Sequence, residues 1–285
     1  MKTPEPLLAG TFTAQVEGQI IHGRAVGQGA NTVVLLTGLG VPALLWHELG
    51  DWAEDVDSLL QNPPWNDRLF LAPLRARHAR VISYDRAGLG ESTAPEKTRS
   101  LDDFLQELEA VLEAAKAVYP VVLVGHSLGG VIALDFARRF PQRVAGLALL
   151  DSSHPDQLAR FAAITDAERL NVEAEDRRLM LEQHPERPDL EALLGQGPLR
   201  AGELGKLSVI VISRSIRADA ERPADVTAQD WQARELVWQQ LQTGLATLSA
   251  QARQLRLSGS GHYVHFDQPQ EVAGAILSLL ESRSG

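Results

Sequence analysis

Cysteine is absent from the 285-residue chain, which excludes disulfide bonds, a thiolate nucleophile and cysteine-based zinc sites. Long uncharged hydrophobic runs are missing as well, and no stretch of about 18 apolar residues could form a transmembrane helix. The N-terminal apolar patch at residues 7–10 is too short for the core of a secretion signal. We therefore expect a cytoplasmic protein without a membrane anchor, and the absence of cysteine fits a reducing compartment.

Positive charge is in deficit, with 27 Lys and Arg against 37 Asp and Glu, a formal net charge of −10. An acidic surface of this kind repels nucleic acid and anionic membranes, so we expect neither as a partner and expect a small-molecule substrate instead. Apolar residues make up 44% of the chain, enough for a sizeable core. The length suits one large domain with a smaller lid, and the oligomeric state stays open.

Two kinds of strand pattern occur along the chain. Residues 11–17 and 19–26 alternate in polarity about Gly18, as an antiparallel hairpin does. Continuous β-branched runs follow, which are typical of parallel strands covered on both faces. These runs are 33–36, 81–84, 121–124, 144–150 and 209–212, and an alternating run at 254–257 closes the series.

Helical patterns separate these strands. Ser100 and Asp103 resemble a capping pair before an apolar stripe at helical spacing over 101–112. A second helix is predicted at 128–139, and Pro269 opens a third. Strands alternating with helices predict an α/β fold with a mostly parallel central sheet and helices on both faces.

Two segments interrupt the alternation. Residues 51–77, rich in proline and tryptophan, form an insertion, and residues 155–206, rich in charge with scattered apolar positions, form a helical lid inserted between two strands. The core is therefore assigned to 1–154 and 207–285. Three tryptophans cluster around the insertion and either line the substrate entrance or pack the insertion onto the core; they are Trp46, Trp52 and Trp65.

The motif GHSLGG at 125–130 is the strongest local signal for chemistry, because it follows a predicted strand and precedes a predicted helix. A sharp turn there strains the backbone of Ser127 and lifts its hydroxyl out of the sheet. Gly125 and Gly129 let neighbouring backbone approach without a Cβ clash. Ser127 is therefore the candidate nucleophile, and the helix N-terminus after it offers N–H groups to a developing oxyanion.

With three further motifs in the same order, the sequence resembles the α/β-hydrolase family. The motif TGLG at 37–40 is similar to the family's oxyanion loop, although the family more often has His at position 37. The motif YDRAGLGES at 84–92 is similar to the turn after the next strand, and Gly261-His262 to the catalytic-histidine loop. The resemblance implies oxyanion donors at the backbone N–H groups of Leu39 and Leu128.

The resemblance also implies that His262 is the general base, since it follows the last strand and precedes the last helix. Histidine suits this role because its pKa lies near working pH. His265, three residues further on, is the alternative. His126 adjoins the nucleophile, but the sharp turn should direct its side chain elsewhere, so we expect it to shape the site.

Two positions compete for the triad acid. The family usually carries the acid after the strand that follows the lid, where Asp219 and then Asp225 fall later than expected and the usual glycine turn is missing. Some members carry it one strand earlier, where Asp151 ends the run 144–150. A carboxylate at the C-terminal end of a strand is well placed for chemistry, so we favour Asp151 over Asp219.

These residues predict a serine hydrolase that cleaves a small carboxylic ester through an acyl-enzyme. Peptidase, thioesterase or C–C hydrolase activity is possible on the same triad, and a low-turnover ligand receptor is the alternative of another class. No metal-ligand spacing or phosphate-binding motif occurs, so we expect no metal and no cofactor. Lids of this kind cover the acyl pocket in the family, which assigns substrate binding to Phe161 and Met180.

Overall fold

The structure of the chain is a computed structural model that describes residues 10–27, 29–46, 79–218, 221–224 and 226–281. The predicted insertion at 51–77, with Trp52 and Trp65, lies outside these residues.

An antiparallel hairpin begins the described chain. Strands β1 (Gly10–Val16) and β2 (Gln19–Val26) pair in antiparallel register, with Phe12 opposite Gly23, so the predicted hairpin is confirmed. Strand β1 pairs with β2, which on its other side runs antiparallel to β4 (Ala79–Tyr84).

The rest of the sheet is parallel, as the β-branched runs predicted. The eight strands of the described ranges form one sheet in the order β1-β2-β4-β3-β5-β6-β7-β8. The parallel pairs run from β4 to β8. The remaining strands are β3 (Asn31–Leu36), β5 (Val121–His126), β6 (Val144–Leu150), β7 (Ser208–Arg214) and β8 (Ala252–Leu257).

Apolar side chains cover both faces of the central strands, because successive strand residues point to opposite sides. Along β3, Val34 and Leu36 belong to one buried cluster, while Val33 and Leu35 belong to the other. Helices α1 (Leu101–Ala114) and α2 (Leu128–Arg139) pack on the first face. Helix α8 (Pro269–Glu281) packs on the second. The core therefore consists of two apolar layers with the sheet between them.

The helix boundaries agree with the local sequence signals. Ser100 and Asp103 form the predicted capping box at the start of α1. Two further helices near the C-terminus are α6 (Ala228–Leu245) and the short α7 (Val264–Asp267). Short 3₁₀ turns cover Ala43–Trp46 and Pro141–Arg143.

The segment between β6 and β7, residues 155–206, is called the β6–β7 segment below. It contains helices α3 (Gln157–Ala162), α4 (Ala167–Glu182) and α5 (Leu190–Leu194). Helix α4 buries none of its residues, and Leu179 and Met180 are 47% and 46% exposed. Leu181, one of the residues of the predicted inward face, is partly buried and packs against the core, whereas Leu179 and Met180 are largely exposed. The last apolar residues of α4 are consecutive, so they project in different directions around the helix.

Every helix within the described ranges is too short or too polar to cross a membrane.

Candidate active site

The carboxyl ends of the central parallel strands form one edge of the sheet, and the site lies there. Leu36 at the end of β3 pairs with Gly125 near the end of β5. His126 pairs with Leu150 at the end of β6, which in turn pairs with Ile212 of β7. The residues that follow these strands therefore start from neighbouring positions, as in other open α/β sheets.

Ser127 occupies the sharp turn between β5 and α2. Its backbone has φ 50° and ψ −119°, a left-handed conformation that a residue other than glycine rarely adopts. A Cβ on Gly125 would lie 2.4 Å from the carbonyl oxygen of Gly129. A Cβ on Gly129 would lie 2.4 Å from the carbonyl oxygen of Leu36. Gly125 and Gly129 are therefore both required by close backbone contacts.

Backbone hydrogen bonds fix this turn on the sheet. The N–H of Ser127 donates to the carbonyl of Leu150 over 3.2 Å, and the carbonyl of Ser127 accepts from the N–H of Ser153 over 3.0 Å. Leu128 begins α2, and the first N–H groups of a helix have no acceptor within that helix. The N–H of Leu128 is therefore suited to donate to an anion beside Ser127.

Asp151 is the first residue after β6 and is completely buried. Its Oδ2 atom lies 2.7 Å from Nδ1 of His262. Its Oδ1 atom accepts from the backbone N–H of Arg214 at 3.2 Å and from the indole N–H of Trp238 at 3.0 Å. The guanidinium of Arg214 adds an ion-pair contact of 3.5 Å to Oδ2. Both carboxylate oxygens are thus engaged, which fixes the orientation of the side chain.

His262 lies in the loop between β8 and α7, with its side chain 38% exposed. Because a carboxylate only accepts hydrogen bonds, its contact with Asp151 assigns the proton of the neutral imidazole to Nδ1. The other ring nitrogen, Nε2, then carries a lone pair that can accept a proton. The structure therefore brings together Asp151 and His262 in the arrangement that a general base requires.

Two further histidines lie against this loop. Nε2 of His126 is 3.0 Å from the backbone oxygen of His262, and the two rings are 4.7 Å apart. Burial, together with the nearby His265 and His262, holds the pKa of His126 well below its ordinary value. His265 is buried and stacks on Trp46 at 4.4 Å. Burial, with a smaller contribution from His262, lowers the pKa of His265 to about 3. Both rings are therefore neutral packing groups near pH 7.

The loop after β3, residues 37–40, lies beside the nucleophile turn. A Cβ built on Gly38 would be 3.3 Å from the Cβ of Ser127. Arg86 donates to the carbonyl oxygens of Thr37 and Gly38, and Glu186 accepts from the N–H of Gly40. The backbone of this loop is thus held by buried charged side chains.

Other predicted residues lie away from these contacts or outside the described chain. Asp219 and Asp225, the competing acids, are outside the described residues. Phe161 is partly buried, with the guanidinium of Arg234 over its ring at 5.9 Å. Met180 is largely exposed on α4. Trp46 is 3% exposed and stacks on His265.

Sequence reasoning missed the residues that surround the acid and the glycine loop. Arg214 and Trp238 contact Asp151 from β7 and α6, and Arg86 and Glu186 hold the loop after β3. Arg86 stands within the motif at 84–92, which was the one available signal. Over the described ranges, no group of three or more His, Asp or Glu side chains is arranged to hold a metal ion.

The sequence is similar to those of several known proteins. The protein YqjL of Bacillus subtilis (strain 168) is 30% identical over 200 residues, which are 70% of this chain and 72% of YqjL. The 2-hydroxy-6-oxo-2,4-heptadienoate hydrolase of Pseudomonas putida strain F1 is 32% identical over 123 residues, 43% of this chain and 41% of that enzyme.

A solved structure extends the likeness of the fold over nearly the whole chain. A thermophilic esterase from Thermogutta terrifontis superposes with a TM-score of 0.57 at 20% identity, covering 96% of this chain and 98% of the esterase. The family profile described as alpha/beta hydrolase fold matches residues 31–251. Because this match covers most of the sequence, the chain belongs to the alpha/beta hydrolase fold family.

Proposed function

We propose that the protein is a serine hydrolase that cleaves a small carboxylic ester through an acyl-enzyme intermediate. The observation that carries this proposal is the 2.7 Å contact between Asp151 and His262, at the same edge of the sheet as a serine in a strained strand-to-helix turn. The roles are nucleophile for Ser127, general base for His262 and orienting acid for Asp151.

In the acylation step, the Ser127 hydroxyl oxygen attacks the ester carbonyl while Nε2 of His262 takes its proton. The Asp151 carboxylate stabilises the imidazolium that forms, through the bond it already makes to Nδ1. The backbone N–H groups of Leu39 and Leu128 donate to the negative oxygen of the tetrahedral intermediate. The imidazolium then returns its proton to the leaving alcohol.

In the deacylation step, the same groups act on water. Nε2 of His262 takes a proton from a water molecule, which attacks the acyl carbonyl, and the imidazolium protonates the departing Ser127 oxygen. The carboxylic acid is released, and Ser127 and His262 return to their starting states.

Hydrolysis of a C–C bond on the same triad is the second candidate. The 32% sequence identity to the Pseudomonas putida 2-hydroxy-6-oxo-2,4-heptadienoate hydrolase over 123 residues favours this candidate. A direct assay on that dienoate beside the ester assays separates the two, since only a C–C hydrolase consumes the dienoate.

The proposal is tested with a fluorophosphonate probe and a panel of nitrophenyl esters of rising acyl length. The wild type should label and should hydrolyse the shorter esters. Ser127→Ala removes the attacking oxygen at little packing cost, so labelling should vanish and kcat should fall by roughly ten-thousand-fold or more.

Ser258→Ala serves as the control, because Ser258 is an exposed residue just after β8. This variant should retain wild-type labelling and turnover. Ester hydrolysis by Ser127→Ala at the wild-type rate would refute the assignment of the nucleophile. A wild type that binds small molecules but neither labels nor turns over would instead indicate a receptor.

A further inference from the structure

Arg86 grips the glycine loop by two successive carbonyl groups. Its NH1 donates to the carbonyl oxygen of Thr37 over 2.7 Å, and its NH2 donates to that of Gly38 over 2.5 Å. NH1 also reaches the hydroxyl of Thr37 at 3.1 Å. The guanidinium is 1% exposed, so these bonds form away from water.

The bond to Gly38 fixes the direction of the neighbouring N–H group. The carbonyl of Gly38 and the N–H of Leu39 belong to one planar trans peptide, in which the two groups point to opposite sides. Arg86 holds the carbonyl on its own side, so the N–H of Leu39 is turned to the side away from Arg86. The positive guanidinium that donates to this carbonyl also polarises the peptide and strengthens its N–H as a hydrogen-bond donor.

Glu186 holds the other end of the loop and orients Arg86. Its Oε1 atom accepts from the N–H of Gly40 over 2.6 Å and from NH2 of Arg86 over 3.1 Å. Its Oε2 atom accepts from Nε of Arg86 over 2.5 Å. Burial acts to raise the pKa of Glu186, but the Arg86 guanidinium outweighs it and lowers the pKa below its ordinary value. The two-pronged pair therefore stays ionised near pH 7.

Glu186 belongs to the β6–β7 segment, and the chain around it is fixed to the core. The N–H of Arg99 donates to the carbonyl of Arg187 over 2.7 Å, and the N–H of Asp189 donates to the carbonyl of Arg99 over 2.9 Å. A Cβ on Gly88 would lie 2.1 Å from the carbonyl oxygen of Pro185. Backbone contacts on both sides thus set the position of Glu186.

The geometry points to Arg86 and Glu186 as positioning residues that aim the N–H of Leu39 at the oxyanion of the transition state. This inference rests on the proposed function, in which Leu39 is an oxyanion donor. It makes the β6–β7 segment part of the catalytic framework through Glu186. If the pair served only the stability of the fold, its substitution would change stability and leave turnover unchanged. A buried ion pair often contributes little net stability, so stability alone is a weak explanation for this pair.

Arg86 and Glu186 are together called the clamp below, and two substitutions disrupt it in different ways. Arg86→Lys keeps the charge but loses the planar fork that reaches two carbonyls at once. Glu186→Gln keeps an acceptor for the N–H of Gly40 but presents amide hydrogens to Arg86. The matched controls are Arg138→Lys and Glu203→Gln, which alter a second, largely buried Arg–Glu pair. In this pair Nε and NH2 of Arg138 both donate to one carboxylate oxygen of Glu203, and the side chains are 22% and 13% exposed.

Each variant is assayed below its own melting temperature for kcat, KM and inhibition by an aryl boronic acid, whose tetrahedral serine adduct places an oxygen in the oxyanion position. We expect kcat of the clamp variants to fall roughly 10- to 100-fold, the scale of a misplaced or lost oxyanion donor. KM should stay within about threefold, and boronic acid inhibition should weaken in parallel with kcat, because only the transition state carries the oxyanion. The controls should lower the melting temperature while keeping wild-type kcat.

The possible outcomes separate the positioning role from the proposed function. Clamp variants with wild-type kcat and inhibition, whatever their melting temperature, overturn the positioning role alone. Control variants that lose kcat and inhibition as the clamp variants do overturn it as well, since any buried pair would then have the same effect. A wild type that neither labels with fluorophosphonate nor hydrolyses esters overturns the proposed function, and the positioning role with it. If Arg86→Lys fails to fold, Glu186→Gln alone decides.

Discussion

The indole N–H of Trp238 donates a hydrogen bond to Oδ1 of Asp151 over 3.0 Å, although the two residues are 87 positions apart. Trp238 is a buried residue of α6, a helix that carries none of the proposed catalytic groups. The bond fixes the carboxylate from the side opposite His262, since Oδ2 is the atom that contacts the imidazole.

Trp238→Phe removes this donor while keeping an aromatic ring. We expect kcat to fall about tenfold with KM little changed, which corresponds to the lower end of the range for a hydrogen bond to a charged group. Trp231→Phe is the matched control, since Trp231 is a buried residue of the same helix whose Nε1 has no hydrogen-bond partner among the described residues. Equal losses in both variants would contradict a specific role for the Trp238 bond.

Asp151→Asn should inactivate the enzyme by reversing a hydrogen bond. The backbone N–H of Arg214 and the indole of Trp238 both donate to one side of the carboxylate, so the amide oxygen of Asn would occupy that side. Its NH₂ would then face Nδ1 of His262 and donate to it, which moves the imidazole proton to Nε2. We expect kcat to fall by roughly ten-thousand-fold, as in serine proteases, with KM nearly unchanged.

Asp219→Asn provides the comparison with the competing acid. We expect its turnover to stay within about tenfold of the wild type, as for a residue outside the triad. A steep loss of turnover in Asp219→Asn, together with an active Asp151→Asn, would instead identify Asp219, which follows β7, as the triad acid.

Substitutions in the β6–β7 segment should change acyl-chain preference. We expect Phe161→Ala and Met180→Ala to shift the preferred nitrophenyl ester length more than the melting temperature. For Met180 a small effect on stability follows from its exposure of 46%. Leu179→Ala, at 47% exposed, is the neighbouring control. Equal rate losses for all esters, accompanied by a lower melting temperature, would indicate that the two residues serve packing.

Acidification should destabilise the fold through His265. Its pKa is lowered from 6.5 to about 3 in the folded protein, mainly by burial. Below pH 6.5, His265 therefore binds a proton in the unfolded chain but stays neutral in the folded chain. The free energy of unfolding consequently falls as the pH drops towards 3. The contribution is fully present above that window.

His265→Gln removes the titrating group and should flatten this dependence. We expect the slope of the unfolding free energy between the two pKa values to decrease by about 1.4 kcal/mol per pH unit relative to wild type. Urea unfolding of both proteins at a series of pH values measures it. Parallel curves would show that His265 titrates alike in the folded and unfolded chains.

The fold was accessible from the sequence because its signals are local. Continuous apolar runs identified the parallel strands, since β3 and its neighbours are covered on both faces. Ser100 with Asp103 and the glycines around Ser127 gave element boundaries through contacts between residues close in the chain. The apolar positions of α4 were less informative, because Leu179, Met180 and Leu181 are consecutive and project in different directions, and of these three Leu181 packs against the core.

The residues that surround the site could not be predicted, because their contacts join residues that are far apart in the sequence. Arg86 and Glu186 are 100 positions apart, and nothing local distinguishes Glu186 from the other acidic residues of the β6–β7 segment. The contact of Trp238 with Asp151 likewise depends on how α6 packs beside β7. Such partners are specified only once the chain is folded, so a pattern of neighbouring letters cannot reveal them.

Helix α4 and Glu186 are close in the chain but differ sharply in how much change they can absorb. None of the residues of α4 is buried, whereas Glu186 is 0% exposed and bonded to both Arg86 and Gly40. Mutations can therefore accumulate along α4 while the neighbouring anchor stays intact. We therefore expect a library of α4 variants to keep a folded protein more often than a library at Glu186, so a search for altered substrate preference should randomise α4 and leave Glu186 unchanged.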